Sequence, residues 1–275
     1  MAAGSTHFVC GLTLSGLMAI RWVVKCGTGI LTRQNGQLDS AQITRLTAQV
    51  ATLVRRGHQI VLVTSGAVGA GMRSMALRGR PSKVSELQAC ATVGQPQLML
   101  EYYRRLKPAQ FLLTYWDLDS RTCYRNAQAT IEHLLSRRSF VPVINENDAI
   151  AGDELRVGDN DRLSAHVAVM VRATRLVILS NVDGLLDTAD DGRVIPLVRR
   201  IDDRLRALAL GTQSELSVGG MATKLLAAEI AAEAGIETWI ANGRRPRVLL
   251  DLARGRGLGT RFQLTGRKKR TAHGR

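Results

Sequence analysis

From Arg21 onward the chain alternates short apolar runs with longer amphipathic ones. Residues 21–25, 59–64, 111–114, 141–144, 176–180 and 238–241 are β-branched and aliphatic, of the length expected for buried strands. Between them lie stretches of helical period. Residues 40–55 place Ile43, Leu46, Val50, Leu53 and Val54 on one face and stop at Gly57. A helical region holds Leu87, Ala91 and Val93, and another spans 126–135. Leu163, Val167, Met170 and Val171 recur at helical spacing, and 222–234 is alanine-rich. A polar, hairpin-like segment covers 187–196. Strands alternating with helices predict a mostly parallel central sheet covered on both faces, an α/β three-layer αβα sandwich. No linker forces two domains, and no internal repeat is visible.

The polar positions interrupt this pattern at particular places. The run 141–144 gives way to Asn145-Glu146-Asn147-Asp148, and Gly158-Asp159-Asn160-Asp161 follows about a dozen residues later. Burying such groups without partners costs several kcal/mol each. At the carboxyl end of a sheet they suit a small polar ligand. Glycine-rich loops are expected at 27–29, 66–71 and 219–220, where backbone amides can approach an anion. None fits the dinucleotide fingerprint or the P-loop. Lys25 closes a buried strand, and Lys224 sits in the first turns of a helix, against the macrodipole. Both placements make sense if a polyphosphate lies between them, with Asp161 offsetting and orienting the two. No Ser/His/Asp or Cys/His nucleophile is evident. The reaction class suggested is phosphoryl transfer, where positioning and charge neutralisation dominate.

Charge changes the picture only at one end. The net charge is +15, but residues 244–275 hold eleven Lys or Arg against one acid, Asp251. A tail at 263–275 with no aromatic among its basic residues reads as a solvated end, and aromatics at 4% do not advertise stacking on nucleic acid. Cys10, Cys26, Cys90 and Cys123 are widely spaced without a CxxC, which fits a reducing cytoplasm. The five histidines form no ligand cluster. The apolar patch 8–20 lacks a basic leader and is too short to span a membrane, so residues 1–20 read as an extension or an upstream start, with Met18 the initiator.

The segments VVKCGTG (23–29), TSGAVGAG (64–71), VPVINENDA (141–149), VGDNDRLSA (157–165) and GGMATKL (219–225) together resemble the glutamate 5-kinases of the amino acid kinase family. The resemblance runs over 21–262. It implies ATP-dependent phosphorylation of the L-glutamate γ-carboxylate, the first step of proline synthesis, by a cytoplasmic homo-oligomer subject to proline feedback. Lys25 and Lys224 would neutralise the migrating phosphoryl group, and Asp161 would organise them. Ser65, Asp148 and Asn160 would hold glutamate. Lys25, Gly27, Ser180, Asn181 and the loop Val218, Gly219, Gly220, Met221, Ala222, Thr223 and Lys224 would contact ATP, with Mg2+ carried on its phosphates. Gly29, Asn181 and Ser217-Val218 depart from the family's usual residues, all on the nucleotide side. Many members carry a C-terminal PUA domain, and the expectation here is the single-domain form. The competing expectations are a kinase of another small carboxylate or carbamate, and a weakened homologue with a regulatory role.

Overall fold

The computed structural model describes residues 20–33, 35–151, 160–187, 191–210 and 220–263. The expected N-terminal extension and basic tail lie outside them, apart from Ile20 and Gln263. Among the described residues ten strands are formed: β1 (Arg21–Cys26), β2 (Gln59–Val63), β3 (Pro108–Leu113), β4 (Val141–Glu146), β5 (Arg175–Ser180), β6 (Leu186–Asp187), β7 (Arg193–Val194), β8 (Leu197–Val198), β9 (Glu237–Asn242) and β10 (Thr260–Phe262). Eight of them make one sheet in the order β3-β4-β2-β1-β5-β9-β10-β8. The first six run parallel, and β10 turns antiparallel against β9. Strands β6 and β7 pair as the separate hairpin expected at 187–196.

Helices cover both faces: α1 (Thr28–Leu31), α2 (Ser40–Arg55), α3 (Ala67–Ser74), α4 (Val84–Tyr103), α5 (Tyr115–Asp119), α6 (Arg121–Ser136), α7 (Asn160–Met170), α8 (Asp203–Leu210), α9 (Met221–Glu233) and α10 (Val248–Ala253). Strand alternation sends neighbouring residues into different cores. Val23 of β1 packs with Val61, Ile144, Ile178 and the inner faces of α6, α7 and α9. Trp22 and Val24 on either side of it pack with Leu62, Val143, Val177 and helices α2, α4 and α10. The result is the three-layer αβα sandwich. No described helix is long and apolar enough to cross a membrane.

Two stretches differ from the pattern-based expectation. Residues 66–71 are not an open glycine loop. Gly66 takes a left-handed conformation (φ 99°) as the N-cap, and Ala67 then begins α3. The glycines beyond it serve a helix crossing. A Cβ on Gly71 would lie 1.7 Å from the Cys90 carbonyl oxygen, and one on Gly94 of α4 would lie 1.9 Å from the Ala67 oxygen. Close backbone approach, not anion binding, explains their lack of a side chain. The second difference is β4, which does not end at Ile144 but continues through Asn145 and Glu146, paired with Leu112 and Leu113 of the edge strand β3. Both polar residues are buried. For Asn145 the placement is tolerated because partners meet it, as described below.

Gly94→Ala is therefore expected to cost roughly 3 kcal/mol or more in urea unfolding, since backbone atoms must move to admit the methyl group. Gly79→Ala, with nothing within 4 Å of its added methyl, is the neutral control.

Candidate active site at the carboxyl edge of the sheet

All the parallel strands end on one edge, and their last residues and following loops carry the polar side chains. Strand β1 brings Lys25, and β2 leads into Thr64 and Ser65. Strand β4 brings Asn145 and leads to Asp148, while β5 ends at Ser180 before Asn181. Helices α7 and α9 begin at the same edge and supply Asn160, Asp161, Thr223 and Lys224. Carboxyl strand ends and helix N-termini converging this way form the usual ligand crevice of an open α/β sheet.

At its centre lies a buried ionic trio. Lys25 Nζ is 2.7 Å from Asp161 Oδ1, and Lys224 Nζ is 3.0 Å from Oδ2. The Thr223 hydroxyl lies 2.8 Å from Asp161 Oδ2 and 2.9 Å from the Gly220 carbonyl oxygen, which Lys224 Nζ also approaches at 3.3 Å. Side-chain exposure is 6%, 1% and 6% for Lys25, Asp161 and Lys224. Burial alone would raise the Asp161 pKa. The attraction of Lys25 and Lys224, and their hydrogen bonds, outweigh that and bring it down to about 2. The N-terminus of α7 favours the same ionised form. Gly27 keeps the trio accessible from one side. A Cβ there would sit 3.3 Å from Lys25 Nζ, while the Gly27 amide is already donated to the Leu179 oxygen at 3.2 Å.

A second cluster lies toward β2 and β4. Asn160 Nδ2 is 2.8 Å from the Thr64 carbonyl oxygen, 3.0 Å from Ser65 Oγ and 3.0 Å from Asn145 Oδ1. Asn145 Nδ2 donates in turn to Gln95 Oε1 at 2.9 Å, and Gln95 Nε2 to Gln110 Oε1 at 3.0 Å. The Thr64 hydroxyl meets the buried Tyr102 hydroxyl at 2.6 Å. Asp148 is largely desolvated, which pushes its carboxyl up to about 6 despite the opposing field of Arg80. Two buried oxygens, Asn160 Oδ1 and Asp148 Oδ1, accept no hydrogen bond among the described residues. Such atoms are rare in folded proteins and point to a ligand that donates.

Beside α1 and the end of β5, a Cβ on Gly29 would stand 3.9 Å from the Asn181 carboxamide, so two of the three family departures are neighbours. Ser180 Oγ lies 3.4 Å from Asn181 Oδ1. Gly220, Met221, Ala222 and Thr223 form the cap and first turn of α9 beside Asp161. Val218 and Gly219, like Ser217, lie outside the described residues. Several residues of this edge carry no obvious sequence signal. Arg244, after β9, donates to the carbonyl oxygens of Gly29 at 2.9 Å and Thr32 at 3.2 Å, clasping α1. Asn242 and Arg245 both donate to Asp183 Oδ1. Gln95, buried next to Gly94, was the one polar intruder of α4 that could have been noticed.

The amino acid kinase family profile matches residues 21–242. Over 260 residues the chain is 42% identical to the glutamate 5-kinase of Shewanella oneidensis, covering 91% of this chain and 70% of that protein. It is 45% identical over 256 residues to the glutamate 5-kinase of Thermus thermophilus, covering 90% and 68%. The chain belongs to the glutamate 5-kinases of the amino acid kinase family. The fold agrees with the family. Uridylate kinase from Archaeoglobus fulgidus superposes with a TM-score of 0.58 at 16% identity, over 88% of this chain and 99% of that one.

The trio makes a stability prediction independent of activity. Asp161→Asn leaves two buried ammonium groups without their carboxylate, and a loss of roughly 3 to 5 kcal/mol is expected at neutral pH. Because the folded-state pKa is depressed, the carboxylate's contribution is complete above about pH 4 and fades as pH falls toward 2. Urea unfolding of the two proteins should therefore differ fully at pH 7 and converge only in acid.

Proposed function

We propose that this protein transfers the γ-phosphoryl group of ATP to the γ-carboxylate of L-glutamate, giving L-glutamyl 5-phosphate and ADP. The observation that carries this reading is the buried Lys25–Asp161–Lys224 trio on a chain of this family. A γ-carboxylate is ionised at neutral pH, so the nucleophile needs no general base. That accords with a site built from two lysines, one carboxylate and amides. One carboxylate oxygen attacks the γ-phosphorus, the bond to the β–γ bridging oxygen breaks, and ADP leaves. Lys25 and Lys224 turn from Asp161 toward the phosphoryl oxygens as charge moves, and Asp161 keeps both ammonium groups in place beforehand.

The remaining roles divide by chemistry. Asp148 takes the substrate ammonium, and Ser65 and Asn160 complete the glutamate site. Ser180, Asn181, Gly27 and the segment from Val218 to Lys224 receive the nucleotide. Magnesium is assigned to the nucleotide and not to the protein. Both Asp161 oxygens face lysines, and the described residues hold no group of three or more His, Cys, Asp or Glu side chains suited to a cation. Mg2+ then supplies charge neutralisation on the phosphates. Proline, which shares the ammonium and α-carboxylate of glutamate, is the expected feedback inhibitor, and a cytoplasmic homo-oligomer catalysing the first step of proline synthesis is the expected setting.

Glutamate-dependent ADP release from Mg-ATP is the direct assay, and Lys224→Ala should lower kcat roughly 100- to 1000-fold. Turnover of aspartate or N-acetylglutamate with none of glutamate would sink the assignment. The Asp148 carboxyl titrates near 6 in the free protein, so KM for glutamate should rise as pH falls below that value. The same shift has the opposite sign for stability. A raised carboxyl pKa means that the cost to folding builds from about pH 4 and is complete above about pH 6, so ligand-free Asp148→Asn should melt higher than wild type at pH 8 and show no such gain at pH 4. Its KM for glutamate should nonetheless rise roughly 10- to 100-fold.

A further inference from the structure

The chain of carboxamides running from the glutamate side of the site into α4 has a direction, and the direction is set by one atom. The Thr64 carbonyl oxygen can only accept, so Asn160 must present its NH2 there, at 2.8 Å. Its Oδ1 is thereby turned the other way, buried and without a hydrogen bond among the described residues. Each next amide follows the same sense, NH2 to C=O, through Asn145 and Gln95 to Gln110 on the edge strand. An amide side chain left alone could flip, exchanging donor for acceptor at little cost. Here a flip at Asn160 would set its oxygen against the Thr64 oxygen and leave Asn145 Oδ1 without its donor.

We propose that Gln95 is a positioning residue for substrate specificity: through Asn145 it locks the Asn160 carboxamide with its oxygen toward the amino-acid site, where that oxygen accepts a hydrogen bond from the substrate ammonium group. This rests on the proposed glutamate site. At neutral pH both carboxylates of glutamate are acceptors, and the ammonium protons are its only strong donors. An orphaned acceptor in its site therefore has one group to receive. Asn160 Oδ1 and Asp148 Oδ1, both among the orphaned buried oxygens, would then share the ammonium group. Gly94 makes the relay possible. Its missing side chain lets α4 press against the start of α3, where a Cβ would meet the Ala67 oxygen at 1.9 Å, and the next residue then reaches Asn145. Gln95 is 8% exposed and Gln110 is exposed, so the far end of the relay can rotate freely and only the near end is constrained.

The test uses Gln95→Met, which keeps length but removes the acceptor, and Gln95→Glu, which keeps an acceptor facing Asn145 while Gln110 turns to donate to it. Gln95→Ala replaces the Met variant if the latter does not melt cooperatively. In the full-length enzyme, Gln95→Met is expected to raise KM for glutamate roughly 10- to 100-fold, with kcat and KM for ATP within about two-fold of wild type. Gln95→Glu should restore glutamate KM to within about three-fold of wild type. Inhibition by glutarate, the same dicarboxylate without the amino group, should be unchanged in both. A folded Met or Ala variant with unchanged glutamate KM, an equal loss for glutamate and glutarate, or no rescue by Glu overturns the inference. A wild-type protein inactive on glutamate overturns the function itself and the inference with it.

Discussion

Asp161 is the residue on which the site depends. It holds one ammonium group on each carboxylate oxygen, in a place where none of the three side chains is more than 6% exposed. An uncompensated charge at such depth is costly, so the carboxylate is what lets two ammonium groups be buried side by side. The pairing also joins distant parts of the fold, because Lys25 closes the central strand, Asp161 opens α7 and Lys224 lies in the first turns of α9. The two helices pack on the same core as β1. Packing and charge thus agree on one geometry. A phosphoryl group entering here meets cations already desolvated and aimed, which is the arrangement that makes electrostatic catalysis effective.

The glutamate side is built on another principle. There the acid is left exposed to desolvation without a cationic partner of its own, and its carboxyl rises toward 6. Beside it in the fold runs a directed network of neutral amides braced by α4, whose Gln95 and Tyr102 lie two turns apart and reach Asn145 and Thr64. One half of the crevice is therefore charged and self-satisfied, and the other is neutral and incomplete. The split suits two substrates of unlike character. Under the proposed assignment the nucleotide would displace existing ion pairs, while the amino acid would complete hydrogen bonds that the described residues leave open.

Much of this was legible in the chain because its signals are local. The helix 40–55 follows from the spacing of Ile43, Leu46, Val50 and Leu53, and the structure places α2 over the same residues. Lys25 and Lys224 stood out because each was a charge in a place that disfavours one, and Asp161 because it could offset both. Asn145 and Glu146 were misplaced for the complementary reason. Polar residues end a strand in a periodicity argument, and only tertiary partners reveal that they continue it. Glycine spacing likewise could not separate an anion loop from the α3–α4 crossing, since both require a bare backbone. Short elements such as β8, β10 and α10 are too brief to carry a period. Gln95 could be noticed as a polar residue in α4, but its partner could not, because that lies 50 residues away at Asn145.

The Arg244 clasp has a consequence in time. Its guanidinium holds the carbonyl oxygen of Gly29 across 215 residues of chain. The loop beside Lys25, though made among the first residues of the sheet, is thus tied down by a segment made among the last. Lys224 arrives only shortly before it. A nascent chain can lay down β1, β2 and β4 and still possess no working crevice, because contacts of such long range form late and at high entropic cost. The crevice is in this sense assembled last, only once β9 has paired with β5 and its loop has closed over the start of the sheet.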